Sequence, residues 1–140
     1  MRPVRLLGLV AVLVALALPA SAQDPGMIYG RLSTAGGRGP IAGATVRFVE
    51  DRTEHEVTIQ TDAAGRFAHI GLRPGHYRAT IERAGFAPVD VIGIELRSWD
   101  RVRLNVELTP FDEAPFKRQT IRYRRPLVNT EDGTMSTRVL

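Results

Sequence analysis

The chain has no cysteine among its 140 residues. That absence excludes disulfides, thiolate metal sites and a cysteine nucleophile, and it removes the lipid-bearing cysteine of a bacterial lipoprotein. Aromatic side chains are sparse, at 6%, with a single tryptophan. Outside the first two dozen residues there is no long apolar run and no convincing helical period, which argues against a helical bundle or a membrane helix in the remainder. Neither charge sign dominates. From Gln23 to Pro110 there are 11 basic and 11 acidic side chains, so the sequence pI of about 10.3 does not describe a nucleic-acid surface. The excess sits at the two ends, in Arg2 and Arg5 and in Lys117, Arg118, Arg122, Arg124, Arg125 and Arg138.

The N-terminus reads as a cleavable secretory signal, residues 1–22. Arg2 and Arg5 form a positive start, and Leu6–Leu18 is an apolar heart of 13 residues, short of the roughly 20 a membrane span requires. Pro19 breaks that helix, and Ala20-Ser21-Ala22 supplies the small-x-small cleavage site with Ala20 and Ala22 at its key positions. Export without disulfides leaves the hydrophobic core as the sole support of the fold. The residues after the leader suffice for one such core, placed at 23–110, followed by a linker-like tail at 111–140.

Between Gly26 and Thr109 short period-2 segments alternate with Gly, Pro and Asp, the pattern of half-buried antiparallel strands. Ile28, Gly30 and Leu32 share one parity, as do Ala44, Val46 and Phe48, then Val57 and Ile59, then Tyr77, Ala79 and Ile81. Phe67 leads a short fourth strand. In Val89–Leu96 the parity changes midway, and a bulge near Ile92-Gly93 is expected to return Val89 and Val91, and Ile92, Ile94 and Leu96, to one face. Val102, Leu104, Val106 and Leu108 form the cleanest alternation, as one last strand. Asp62-Ala63-Ala64-Gly65 reads as a hairpin turn with Gly65 at positive φ, and Pro74-Gly75 as a type II turn. Seven such strands predict an all-β, seven-stranded Greek-key sandwich of two sheets.

Four motifs in register resemble the carboxypeptidase regulatory-like domains: Ile28–Leu32 with Pro40–Val46, Thr61-Asp62-x-x-Gly65-x-Phe67, Leu72-x-Pro74-Gly75-x-Tyr77, and Ala84-Gly85-Phe86. The resemblance implies a transthyretin-like sandwich that, in metallocarboxypeptidases, accompanies a zinc-bearing catalytic domain absent from this sequence. Gly30, Gly43, Asp62, Gly65, Phe67, Leu72, Pro74, Gly75 and Tyr77 are then structural: glycines for backbone geometry, Phe67, Leu72 and Tyr77 for the core, with the Tyr77 hydroxyl free to bond backbone. The tail is similar to the segment that joins such a domain to the plug of TonB-dependent outer-membrane receptors. It contains Thr120-Ile121-Arg122-Tyr123 as a short strand, then Pro126–Thr130 and Gly133–Thr137.

Enzyme signatures are missing. His55, His69 and His76 lack zinc-protease spacing, and there is no serine elbow or phosphate loop. A lone Asp62 cannot supply the six to eight oxygens of a calcium site. Hydroxyisourate hydrolases share the transthyretin-like fold, but they end in Tyr-Arg-Gly-Ser and use early histidines; this chain ends in Ser-Thr-Arg-Val-Leu. No catalytic residue, metal or cofactor is therefore assigned. His69 interrupts an apolar pattern, either as a ligand or pH-sensitive group or as a partly covered histidine at a sandwich edge. The expected role is an exported, non-catalytic protein-interaction module of the periplasm or outer membrane, with Arg122, Arg124 and Arg125 toward an acidic partner. The alternative is a carbohydrate-binding module using Tyr29, Trp99 or Tyr123. Trp99 either caps a core edge or stacks a sugar.

Overall fold

The alternating segments fold into nine strands among the residues described by the computed structural model, 24–114 and 118–125. They are β1 (Gly26–Thr34), β2 (Thr45–Glu50), β3 (Glu56–Gln60), β4 (Arg66–Leu72), β5 (Gly75–Glu82), β6 (Val89–Leu96), β7 (Arg101–Arg103), β8 (Val106–Leu108) and β9 (Gln119–Arg122). The signal segment with Ala20 and Ala22, and the tail beyond Arg125, lie outside the described residues. Among the described residues no helix is long and apolar enough to cross a membrane.

Two sheets face each other. One has the order β4-β1-β7, with β8 also paired to β1; the other runs β3-β2-β5-β6-β9. The all-β sandwich expected from the alternation is what forms. Its core takes Ile28 and Leu32, Phe67 and Leu72, and Val102, Leu104, Val106 and Leu108 from the first sheet. From the second it takes Val46 and Phe48, Tyr77, Ala79 and Ile81, and Val89, Val91, Ile94 and Leu96. Phe48 and Phe67 meet across the interface as tilted rings with centroids 6.2 Å apart. Two polar residues are buried there, and both are bonded. Thr61 Oγ1 donates to the Ile41 carbonyl at 2.7 Å and accepts from Ala44 N–H at 2.9 Å. The Glu50 carboxylate accepts Thr53 N–H at 2.9 Å and Arg52 N–H at 3.2 Å.

The bulge in β6 lies where the parity changes. Tyr77 pairs Ile94 and Ala79 pairs Val91, so two steps on β5 meet three on β6. Gly93 takes a φ of 77° at that point; Ile92, expected on the inner face with Ile94 and Leu96, is instead half-buried, because the extra residue of the bulge takes it out of the inward alternation.

Four further local expectations are corrected. The last strand is broken: β7 and β8 run parallel to β1 with the same offset, but the ladder opens at Leu104 and Asn105. There Leu104 N–H reaches Tyr29 O at 2.7 Å, and the Asn105 side chain takes Arg31 N–H at 3.1 Å. The strand led by Phe67 is longer than expected, seven residues. Asp62–Gly65 is no hairpin, because β3 and β4 belong to different sheets; the turn carries the chain across the sandwich. Gly65 has a φ of 72°, and a Cβ there would fall 2.4 Å from the Leu32 carbonyl oxygen, so both conformation and space demand glycine. Pro74-Gly75 is not a type II turn. Gly75 opens β5 with ordinary φ, and it is small because Glu50 lies against it, at 3.2 Å from an ideal Cβ. The positive φ in this region belongs to Gly71.

The tail adds the short strand β9, parallel to β6, in the register Val89 with Gln119 through Ile92 with Arg122. Arg118 fastens its start to Asp90 at 2.9 Å and to Glu82 at 3.3 Å.

Candidate functional site

The β6–β7 connection is a tight turn built by one aspartate. Arg97 N–H donates to Asp100 Oδ2 at 2.9 Å, and Asp100 N–H returns to the Arg97 carbonyl at 3.1 Å. Asp100 C=O then accepts Met27 N–H at 2.8 Å, which pins the turn to the start of β1. Arg125, arriving from the tail, pairs with the Asp100 carboxylate and also donates to the Glu95 carbonyl at 3.3 Å. The Arg125 guanidinium holds Asp100 below the ordinary carboxylate range, helped by the Arg97 backbone N–H and opposed by burial.

Trp99 sits in this turn at a φ of 63°, a left-handed conformation that costs an aromatic residue about 1–2 kcal/mol. Its side chain is 73% exposed. The expectation that Trp99 caps a core edge is therefore overturned: the turn holds the indole out in water.

Beside the turn, on the outer face of the β4-β1-β7 sheet, Tyr29 lies under two guanidiniums. Arg101 is 5.9 Å and Arg103 5.5 Å from its ring centroid, within cation–π range. Tyr123, just past β9, is half-buried against the core and donates its N–H to Ile92 O at 2.8 Å. Burial chiefly raises its phenol; Arg125 pulls the other way, and Asp100 and Tyr29 add to the rise. Tyr29 and Tyr123 thus come within electrostatic reach of one another, and Asp100 links this cluster to the turn that carries Trp99. Sequence spacing hid this, because the turn-to-β1 and tail-to-turn bonds that assemble them are long-range.

The candidate arginines separate. Arg125 belongs to this cluster. Arg122 lies exposed on β9 with its Cγ 3.7 Å from where a Cβ on Gly93 would stand, and Arg124 is exposed just beyond. The motif residues are placed in the framework. Gly30 lies in β1 against Leu104, and Gly43 precedes β2 at a φ of 64°. Asp62 Oδ1 accepts Ala64 N–H and Arg66 N–H at 2.9 and 2.8 Å. Phe67, Leu72 and Tyr77 are core, and Pro74 bends the chain into β5. Tyr77 Oη donates to the Arg73 carbonyl at 2.7 Å, bracing the crossing from β4 to β5.

At the opposite end, Gly43, Thr45, Glu82, Arg83, Phe86 and Phe111 line an open depression of about 390 Å³. The histidines do not converge: His69 is half-covered on edge strand β4, while His55 and His76 are exposed in the β2–β3 turn and on β5. Among the described residues no three His, Cys, Asp or Glu side chains are grouped to hold a metal.

Fold and surfaces together define a two-sheet, transthyretin-like sandwich domain that displays side chains on its faces and end loops. The chain belongs to the carboxypeptidase regulatory-like domain family, whose model matches residues 27–109. It is 35% identical over 83 residues to the TonB-dependent transporter Oar of Myxococcus xanthus; the match covers 59% of this chain and 8% of the transporter. Among solved structures, a candidate carbohydrate-binding protein from Bacteroides uniformis aligns with a TM-score of 0.52 at 15% identity, over 61% of this chain and 42% of that one. The Bacillus anthracis TIE protein aligns with a TM-score of 0.53 at 14% identity, over 62% and 18%. A catechol 1,2-dioxygenase from Acinetobacter radioresistens gives 0.50 at 14%, over 73% and 58%. At such identities the likeness is one of fold, and the unlike names of these proteins illustrate how little a sandwich says about activity.

Proposed function

We propose that this chain is an exported, non-catalytic interaction module of the bacterial cell envelope, acting in the periplasm or at the outer membrane as the N-terminal part of, or an accessory to, a TonB-dependent receptor. The observation that carries this reading is the 83-residue match to a TonB-dependent transporter, a length equal to that of the family domain at 27–109. The leader-like segment 1–22 supports export. The mechanism is presentation: the sandwich holds Trp99, Arg125 and the Tyr29 cluster at one end, and a partner recognises them without bond-making chemistry. The test is a photo-crosslinking residue at position 99 in cells, followed by fractionation. A crosslink to a TonB-dependent receptor in the outer-membrane fraction is the expected result; a chain retained whole in the cytoplasm would overturn the reading.

Trp99 favours a second reading, a carbohydrate-binding module, because a water-exposed indole in a braced turn offers a flat face to a sugar. Titrating its fluorescence with a panel of glycans separates the two; a flat response across the panel removes the second.

A further inference from the structure

Each sheet ends in strands that have a neighbour on one side only: β3 and β9 in one, β4 and the β7–β8 segment in the other. Proteins guard such edges with charge, proline or brevity. β3 is five residues long and sets Glu56, Thr58 and Gln60 along its rim; β7 carries Arg101 and Arg103, and β9 ends on Arg122. β4 is seven residues long and, past Arg66, presents Ala68 and Ile70 on its outer face. Both are exposed, Ile70 at 73%. The backbone of β4 faces two ways. Met27 N–H bonds Asp100 O and Tyr29 O takes Leu104 N–H, so these residues of β1 turn their main chain toward β7. Ile28 and Gly30 therefore turn theirs toward β4, where they meet His69 and Phe67. Ala68 and Ile70, the alternate residues, aim N–H and C=O away from β1 at the open edge, and among the described residues nothing bonds them there. The next outward residue, Arg66, is satisfied: its N–H donates to Asp62 Oδ1 at 2.8 Å and its carbonyl takes Asp62 N–H at 2.9 Å. At the other end Gly71, with a φ of 93°, bulges the strand.

We propose that this short open stretch, Ala68–Ile70, is a strand-addition site for an extended segment of another protein that carries β-branched apolar side chains at alternate positions. This rests on the interaction-module reading and names a contact surface and the chemistry of its partner. Two N–H and two C=O groups, set out in pairs about 6.6 Å apart, are the complement of an extended backbone. Side chains paired with Ala68 and Ile70 fall beside them on the outer face. There a valine or isoleucine covers the exposed Ile70 and the half-covered Met27, its partner in register. The residue between them meets the half-covered His69 at the sandwich rim, where a small polar side chain fits. A second copy of the chain does not fit. Antiparallel pairing about His69 would set each Leu72 opposite the other copy's Arg66, where Asp62 already occupies the edge. A segment with free ends diverges past both Asp62 and the Gly71 bulge.

The test uses the purified chain from residue 23 onward, which retains every described strand. The probe is a fluorescent peptide, Lys-Thr-Val-Thr-Val-Thr-Lys, with a counterpart methylated on both valine nitrogens, so that the side chains stay and the strand donors go. The expected result is binding of the first peptide alone, with the Ala68 and Ile70 amides shifted in NMR spectra and slowed in hydrogen exchange. Ala68→Pro removes an outward N–H and none of the bonds to β1, and is expected to weaken binding about tenfold. Ile70→Lys, at an exposed position that leaves the core untouched, puts a charge on the edge and is expected to weaken it severalfold. Thr58→Pro, the same kind of change on the rim of β3, is expected to leave binding as it was. Equal binding of the methylated peptide overturns the proposal. So does no binding by a folded chain, binding that Thr58→Pro abolishes, or pairing of the chain with itself through Ala68 and Ile70. Crosslinking at position 99 tests the functional reading separately: a crosslinked receptor with no peptide bound sinks this inference alone, whereas a chain retained in the cytoplasm sinks that reading.

Discussion

The carbonyl oxygen of Leu104 occupies the place a side chain on residue 30 would need: an ideal Cβ at Gly30 falls 1.7 Å from it. The approach is what lets the broken β7–β8 segment lie against β1, with Leu104 N–H on Tyr29 O. Gly30→Ala forces backbone apart within a packed core, and such overpacking typically costs about 1–3 kcal/mol, and more when the obstacle is main chain. We expect a loss of about 3 kcal/mol or more in urea unfolding. A loss under about 1 kcal/mol would mean that β7–β8 shifts freely away from β1.

Tyr77→Phe removes one hydroxyl and leaves the ring in the core. The bond to the Arg73 carbonyl, 2.7 Å long and partly buried, is expected to contribute about 1 kcal/mol. Chemical denaturation reads it directly, and an unchanged midpoint would show that water replaces the hydroxyl without loss.

Stability is expected to fall in acid, with a defined sign. Asp62 is held below its usual range, first by the Arg66 backbone N–H and then by the Arg66 side chain and Ala64 N–H; Asp100 is held low chiefly by Arg125. A carboxylate lowered on folding stabilises the fold fully above its unfolded pKa, about 3.9 for aspartate. That contribution disappears as pH falls through the lower, folded value. The urea midpoint should thus be level from about pH 7 to about pH 5 and then decline. Asp100→Asn should flatten part of the decline; an identical acid profile in that variant would remove the Arg125 pair from the explanation.

Trp99 is the single tryptophan and already stands in water, so its emission maximum should move little on unfolding. Trp99→Gly relieves a left-handed aromatic while loosening the unfolded chain, and the net change in stability is expected within about 1 kcal/mol. A large red shift on unfolding, or a strongly destabilised glycine variant, would show the indole to be packed.

The sandwich was legible in the sequence because alternation is a local signal: Val102, Leu104, Val106 and Leu108 are all buried, and even the β6 bulge left its mark in a parity change. The strand break at Leu104–Asn105 was not legible, since it depends on Gly30 in a strand more than seventy residues earlier. Turn type also failed at Pro74-Gly75. A Pro-Gly pair ordinarily reports a local turn, but here the crossing between sheets and the Glu50 side chain set the geometry. The nearness of Tyr123 to Tyr29 and Asp100 was invisible for the same reason, since the Asp100–Met27 and Arg125–Asp100 bonds that bring β1 and the tail to the turn are long-range.

The Asp100 clamp also fixes how the domain is held by whatever adjoins it. β1 begins beside Asp100, and the last described residue, Arg125, ends on it. The start of β1 and the last described residue therefore lie at one pole. A neighbouring domain on either side would suspend the sandwich from that pole, and the Ala84–Phe86 turn and Phe111 would be carried a strand length away, about 26 Å for eight residues. The cluster near the tether would meet partners that share the anchor, while the far pole would sample whatever lies beyond reach of it.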